Sequence, residues 1–304
     1  MKNNKIILLI AFSIMLSIAF SQNCEEGFTY FSTIPNNVTN INNNENCFFN
    51  DDIETLDDLI NLNSMSYESP LNIGIQTWVS NRLVSWVATY TPTGNNGVNE
   101  KIASLPSSIG NLTNLESLYL EWNGLLELPS SFSSLTGLKN LAISNNYLSS
   151  LPDIGTLTNL IYLDLGYNQL QSLPESICNL NLNWSGVDPS NYPYFASGAN
   201  QLCNSELIPD CVESSDNFEI SLDQFYYSFL EDTPQNCIEE CVLGDMNSDN
   251  NWNVLDIVAL ANCVLASNCD NLENGCAGDM NGDENWNVLD IVGLANCVLA
   301  SNCN

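Results

Sequence analysis

The sequence predicts an α/β repeat solenoid closed by cysteine-bound caps, followed by a small α-helical domain made of a duplicated loop and helix. Three observations carry this reading. A leucine pattern returns every 22–23 residues from Leu115, and residues 244–269 and 278–303 are near-copies of each other. Twelve cysteines are spread over a 304-residue chain that has no histidine.

Residues 1–21 open with Lys2 and Lys5, continue as an apolar run over 6–18 and reach Ala19, Phe20 and Ser21 as a cleavage site. This is the layout of a secretory signal peptide, too short and wrongly flanked for a membrane anchor. No other stretch could span a bilayer, so membrane insertion is not expected. Past the leader only Arg82, Lys101 and Lys139 face 36 acidic side chains. Such a surface repels nucleic acid and anionic headgroups. All twelve cysteines follow the leader, even in number and without a C-x-x-C motif. In a secreted chain that points to disulfides before zinc or redox chemistry.

Residues 22–100 read as an N-terminal capping region, with Cys24, Cys47, an acidic amphipathic stretch over 51–62 and an aromatic-rich strand region over 78–90. The repeats fill 101–182. Units starting at Leu115, Leu138 and Leu160 follow L-x-x-L-x-L-x-x-N-x-L-x-x-L-P, after a half-unit with Ile102, Leu105, Ile109 and Leu112. The pattern resembles the leucine-rich repeat. The resemblance implies short parallel strands with Leu118/Leu120, Leu141/Ile143 and Leu163/Leu165 turned inward. It also implies that Asn123, Asn146 and Asn168 stack as a ladder that satisfies backbone groups. So short an array needs covered ends. Residues 183–211, with Trp184, Tyr192, Tyr194 and Phe195, read as a loop-rich C-terminal cap, with Cys178, Cys203 and Cys211 at the join. Residues 212–240 read as an acidic linker.

The solvent-facing positions of the concave strands mark where the repeats would recognise something. Among them stand Tyr119, Glu121, Trp122, Tyr162, Asp164 and Tyr167. Aromatic faces cover apolar surface while acids and amides make directional hydrogen bonds, which suits a peptide or a glycan. The alternative is that the rings merely fill a small curved sheet.

The duplication occupies 241–304. Oxygen-bearing side chains fall at loop positions 1, 3, 5, 9 and 12: Asp245, Asn247, Asp249, Asn253 and Asp256, then Asp279, Asn281, Asp283, Asn287 and Asp290. Position 7, Asn251 or Asn285, offers a backbone carbonyl. A hard cation that wants about six to eight oxygens suits such a loop, and the absence of histidine removes the commonest transition-metal ligand. Two Ca²⁺ sites are expected. After each loop an apolar stripe at helical spacing follows: Ile257, Leu260, Ala261 and Val264, then Ile291, Leu294, Ala295 and Val298. Two such stripes are most simply buried against each other.

With Asp at position 12, and two glycines in 270–278 where an EF-hand has its entering helix, the pair resembles the type I dockerin repeat. The resemblance implies a calcium-folded module that docks to a cohesin-like or surface partner. In that family loop positions 10 and 11 help choose the partner; here they are Val254, Leu255, Val288 and Leu289, and the helices carry no Lys or Arg. Position 6, usually glycine, is Asn250 in one copy and Glu284 in the other. A glutamate at positive φ costs about 1 kcal/mol, so the second site is expected to be the weaker. Cys263/Cys269 and Cys297/Cys303 recur identically; closure within each copy and crossing between copies are both open.

Without histidine, Ser-His-Asp and Cys-His catalysis are excluded. Repeats, caps and linker leave little room for a catalytic domain, so an enzyme is not expected. The sequence reads as a secreted, cell-surface-associated bacterial protein. Its repeats recognise an extracellular protein or glycan, and its calcium module anchors or docks it. Alternatives are a non-catalytic subunit of a cohesin–dockerin polysaccharide-degrading assembly, and an adhesin whose calcium module is only a structural end-piece.

Overall fold

The computed structural model describes residues 24–41, 46–223, 230–237, 242–269, 272, 274–283, 285–300 and 302–303. The leader at 1–21, Cys241 and Glu284 lie outside the described residues. The chain divides into two units, the first ending at Asn236 and the second running from Cys237 to Asn304. No helix among the described residues is long and apolar enough to cross a membrane.

The first unit begins with β1 (Phe28–Tyr30), β2 (Val38–Ile41), β3 (Cys47–Phe49), α1 (Asn50–Leu62), β4 (Ile75–Val79) and β5 (Arg82–Val87). The repeats add β6 (Ser117–Tyr119), β7 (Asn140–Ala142) and β8 (Tyr162–Asp164). Then come β9 (Phe195–Ala196), the short α2 (Asp210–Glu213), β10 (Ile220–Leu222) and β11 (Leu230–Asp232). Seven strands form one sheet in the order β2-β4-β5-β6-β7-β8-β9. Every pairing in it is parallel except β4 with β5.

The acidic stretch becomes α1, which buries Ile53, Leu56, Leu59 and Ile60. The fully buried Asp52 locks it to the sheet. The Arg82 guanidinium donates from Nε to Asp52 Oδ2 and from Nη2 to Oδ1, each at 2.9 Å, and the Leu83 N–H adds a third bond at 2.8 Å. A bidentate pair with an added backbone donor is the arrangement that makes a buried charge tolerable. Cys24–Cys47 closes this end.

The register sets Leu118, Leu141, Leu163 and Phe195 side by side, all fully or almost fully buried. Beneath them runs the asparagine ladder. Asn146 Oδ1 accepts the Leu125 N–H at 3.0 Å, and Nδ2 donates to the Leu120 and Ile143 carbonyls at 3.0 and 3.1 Å. Asn123 does the same for Ile102, Ala88 and Leu120, and Asn168 for Leu148, Ile143 and Leu165. Each amide thus ties its own turn to the one before, supplying the partners that buried backbone groups require.

The structure differs from the sequence expectation at the C-terminal end of the array. Residues 195–209 are a degenerate further repeat, not a loop-rich cap. Phe195 takes the strand leucine's place, and Asn200 forms a fourth rung, accepting from Leu170 and donating to the Leu165 and Ser197 carbonyls. The acidic stretch expected as a linker packs on this end as far as 236. Asn217 Nδ2 donates to the Trp184 and Gly186 carbonyls, Gly198 N–H to Ile220 O, and Asn236 N–H to Asn200 O. β10 and β11 pair antiparallel there. Val212 and Leu222 are buried, and Phe218 packs partly buried against the core, so the acidic side chains decorate an element with an apolar side of its own. Cys178–Cys211 staples it, and Cys203 is disulfide-bonded.

In the second unit α3 (Val254–Ala266) and α4 (Val288–Ala300) pack together, with Leu260 and Leu294 fully buried. The two copies interlock through glycine. A Cβ on Gly244 would stand 2.8 Å from Leu294 Cδ1, and one on Gly278 would stand 2.6 Å from Leu260 Cδ1. The open cysteine question is answered: Cys263–Cys269 and Cys297–Cys303 each close within their own copy. Cys237 is disulfide-bonded, and Cys276 is free among the described residues.

The ladder makes a direct stability prediction. Asn146→Ala should cost about 3 kcal/mol, because it leaves the buried Leu125 N–H and Leu120 carbonyl unpartnered. Asn159→Ala, which removes an exposed bond to Thr136 O, should cost less than about 0.5 kcal/mol. Urea unfolding of both variants checks the difference, and equal costs would refute the ladder's role.

Candidate functional site

Two regions gather the residues that the sequence singled out. In the second unit each loop wraps its acidic side chains around its own backbone. Asp245 Oδ1 accepts the Asp249 N–H at 3.1 Å, and Oδ2 accepts the Asn250 N–H at 2.8 Å. Asn247 Oδ1 accepts the Asp249 N–H at 3.1 Å, and Asp249 Oδ1 accepts the Asn251 N–H at 2.8 Å. The second copy repeats the pattern: Asp279 Oδ1 accepts from Gly282 and Asp283, Asn281 Oδ1 from Asp283, and Asp283 Oδ1 from Asn285. Ser248 and Asn250 hold φ of 54° and 58°, and Gly282 holds 71°. Asparagine at position 6 therefore meets the turn that glycine usually makes there. The left-handed requirement at position 4 was not anticipated from the sequence.

The helix that follows each loop is started by loop side chains. Asn253 Oδ1 accepts the Leu255 N–H at 2.8 Å, while Asp256 Oδ2 accepts the Asn253 N–H at 2.9 Å, a reciprocal cap. Asn287 and Asp290 repeat it. Asp256 and Asp290 are fully buried, and the second oxygen of each, Oδ1, has no hydrogen-bond partner. A buried carboxylate oxygen without a partner is costly unless a cation supplies the missing charge. Among the described residues no group of three or more His, Cys, Asp or Glu side chains converges as a metal site. The three carboxylates of each copy are instead spread along their loop, between asparagine amides and a backbone carbonyl. All the predicted position-1, -3, -5, -9 and -12 residues lie along one loop in each copy. Val254, Leu255, Val288 and Leu289 stand beside those loops, 64%, 59%, 63% and 64% exposed.

The second region is a pocket of about 430 Å³ on the sheet face of the first unit. Tyr119, Glu121, Tyr162 and Asp164 line it from the repeats. Asp188, Tyr192 and Tyr194 close it from the loop before β9. Sequence reading missed these three as site residues, because only the fold brings them over the strands. Trp122 and Tyr167 do not line it. Both sit at the bend after a strand with φ of 62° and 53°, and the Tyr167 hydroxyl donates to Glu231 at 3.3 Å.

Glu121 is 9% exposed and Asp164 2%. Burial pushes the Glu121 carboxyl up to about 7, opposed by a hydrogen bond from Thr89 and reinforced by the charge of Asp164. Burial pushes Asp164 up to about 6, opposed by the Gly166 N–H on Oδ1 at 3.0 Å. A carboxyl raised on folding holds its proton longer in the folded chain, so stability falls as pH rises from the unfolded value through the folded one. For Glu121 that is a loss of about 3 kcal/mol between pH 4.5 and 7. Carboxyl NMR titration should show Glu121 near 7, and Glu121→Gln should flatten that part of the stability profile. A Glu121 titrating near 4.5 would show that the site is solvated.

Residues 243–299 match the dockerin type I domain family. Such domains are typically calcium-binding and imply a cohesin-type partner. No curated protein matches the chain. Solved structures similar to part of it include a leucine-rich-repeat protein of Leptospira interrogans, at 26% identity over 49% of this chain and 36% of that one, with a TM-score of 0.31. A plant ice-binding protein matches at 25% identity over 40% and 37%, with a TM-score of 0.30. The Arabidopsis receptor kinase HAESA, solved with the peptide hormone IDA and a co-receptor, matches at 25% identity over 45% and 25%, with a TM-score of 0.28. The chain thus spans about a third of the length of the first two.

Proposed function

We propose that this chain is a secreted, non-catalytic binding protein. In it a leucine-rich-repeat solenoid recognises an extracellular protein or glycan, and a C-terminal dockerin module folded around two calcium ions docks it to a cohesin-type partner. The observation that carries the reading is the repeated one at 254–255 and 288–289. In a small calcium-type domain, the same two apolar side chains stand exposed beside each loop. Exposed apolar pairs flanked by polar loops mark interaction surfaces.

Calcium at each loop would be held by Asp245, Asn247, Asp249, the Asn251 carbonyl, Asn253 and Asp256, and by their counterparts through Asp290. When bound, it supplies the positive charge that the buried Asp256 and Asp290 oxygens lack. The loop side chains then fix the position of the helix start, and with it Val254 and Leu255. The leader at 1–21 supports export, and the absence of histidine removes the Ser-His-Asp and Cys-His routes of hydrolysis.

Because the copies are near-identical, either can present the same surface. Against cohesin domains from the same genome, Val254→Asp with Leu255→Asp should weaken binding only about twofold, by losing one of two equivalent faces. Adding Val288→Asp and Leu289→Asp should weaken it at least about thirtyfold. Surface plasmon resonance in calcium and in chelator checks both. If no cohesin domain binds, or the quadruple variant binds unchanged, the module is a structural end-piece instead.

A further inference from the structure

The pocket over the repeat sheet holds two buried carboxylates and no cation. The chain has three basic residues beyond its leader, and all are engaged elsewhere. Arg82 pairs with Asp52, Lys139 with Glu116, and the Lys101 ammonium lies 5.2 Å from the Tyr90 ring centroid. Glu121 and Asp164 therefore face each other's charge without compensation, while Thr89 and Gly166 supply only neutral donors. Leaving a carboxylate buried and unpaired is one of the more costly arrangements a fold can hold.

The walls suit the missing charge. Tyr119 and Tyr162 rise from the strands, and Tyr192 and Tyr194 come from the facing loop. Between β6 and β8 the register places Ala142, whose single methyl leaves room over the sheet. Tyrosine faces attract a cation, more strongly when it is desolvated. A volume of about 430 Å³ admits one side chain or a small molecule, and a chain so rich in acids draws cations toward it.

We infer that this pocket binds a guanidinium or ammonium group carried on a slim stem, with Glu121 and Asp164 as its charge partners and the tyrosines as its walls. This rests on the proposal that the concave face is the recognition surface, and it names the chemistry recognised there. The cation could be the side chain of a basic peptide or a free organic amine; the chemistry at the pocket is the same.

Calorimetric titration of the full calcium-loaded chain tests it with three probes: Nα-acetyl-arginine methylamide, agmatine, and the neutral citrulline counterpart of the first. The arginine probe or agmatine should bind at least about tenfold more tightly than the citrulline probe. A tighter capped arginine indicates a peptide-borne side chain, and a tighter agmatine indicates a free amine. Affinity should rise from pH 5 to pH 8 as Glu121 and Asp164 ionise. Of the other groups facing the pocket, Asp188 is the remaining acid, and burial pushes the Tyr119 phenol up, away from this range. Glu121→Gln with Asp164→Asn should remove the preference for the charged probe. Equal affinity for arginine and citrulline, or no cation binding up to about 10 mM, overturns the inference. If a neutral probe binds and Tyr162→Ala abolishes it, the cation assignment fails while the concave face stands as a recognition surface.

Discussion

A polar atom taken out of water must be given a partner, and both units of this chain are organised around that requirement. In the repeats the partner is asparagine. Each parallel strand turns sharply at its end and leaves backbone groups facing inward. The amides of Asn123, Asn146, Asn168 and Asn200 satisfy them two turns at a time. Stacking follows from this, because one turn's carbonyls are met only when the next turn sits in register. In the C-terminal unit the requirement is met only in part. Asp256 and Asp290 each spend one oxygen capping a helix and leave the other unmatched. On the proposed reading, a bound cation would supply the partner that these oxygens lack.

The small unit has little else to hold it. Among the described residues its core is six buried side chains with a partly buried rim, and Leu260 and Leu294 are each set against the opposite copy's glycine. A core of this size supplies only a few kcal/mol, and domains so small are generally stapled by disulfides or metals. The two short disulfides pin the end of each helix. The interlocked glycines fix how the copies meet, so that neither can be enlarged without displacing the other's leucine. Stability and the presentation of Val254, Leu255, Val288 and Leu289 thus share one origin.

Much of this was legible in the sequence, because repeats multiply a weak local signal. The strand leucines and three rungs of the ladder followed from the resemblance that the spacing carries, and the duplicated loops stood out by their near-identity. The fourth rung was hidden because Phe195 replaces a leucine and the surrounding residues lack the full pattern, although Asn200 and Leu202 keep it in part. The packing of the acidic stretch after 212 was masked by its charge, which outweighed Phe218, Ile220 and Leu222. Trp122 and Tyr167 were assigned to the concave face by counting residues along an extended strand. Their left-handed backbone ends that alternation, which no side-chain pattern announces. The loop residues Asp188, Tyr192 and Tyr194 reach the pocket only through tertiary packing.

The proposed calcium coupling requires the unmatched oxygens of Asp256 and Asp290 to be calcium ligands. Calorimetric titration of Ca²⁺ into the chelator-treated full chain, followed by far-ultraviolet circular dichroism, addresses this directly. Two ions bound with a gain of helix, reduced to one ion by Asp256→Asn or by Asp290→Asn, is the result expected of a metal-coupled fold. No uptake up to about 10 mM, past the weak end for extracellular calcium modules, or uptake unaffected by either substitution, would contradict it.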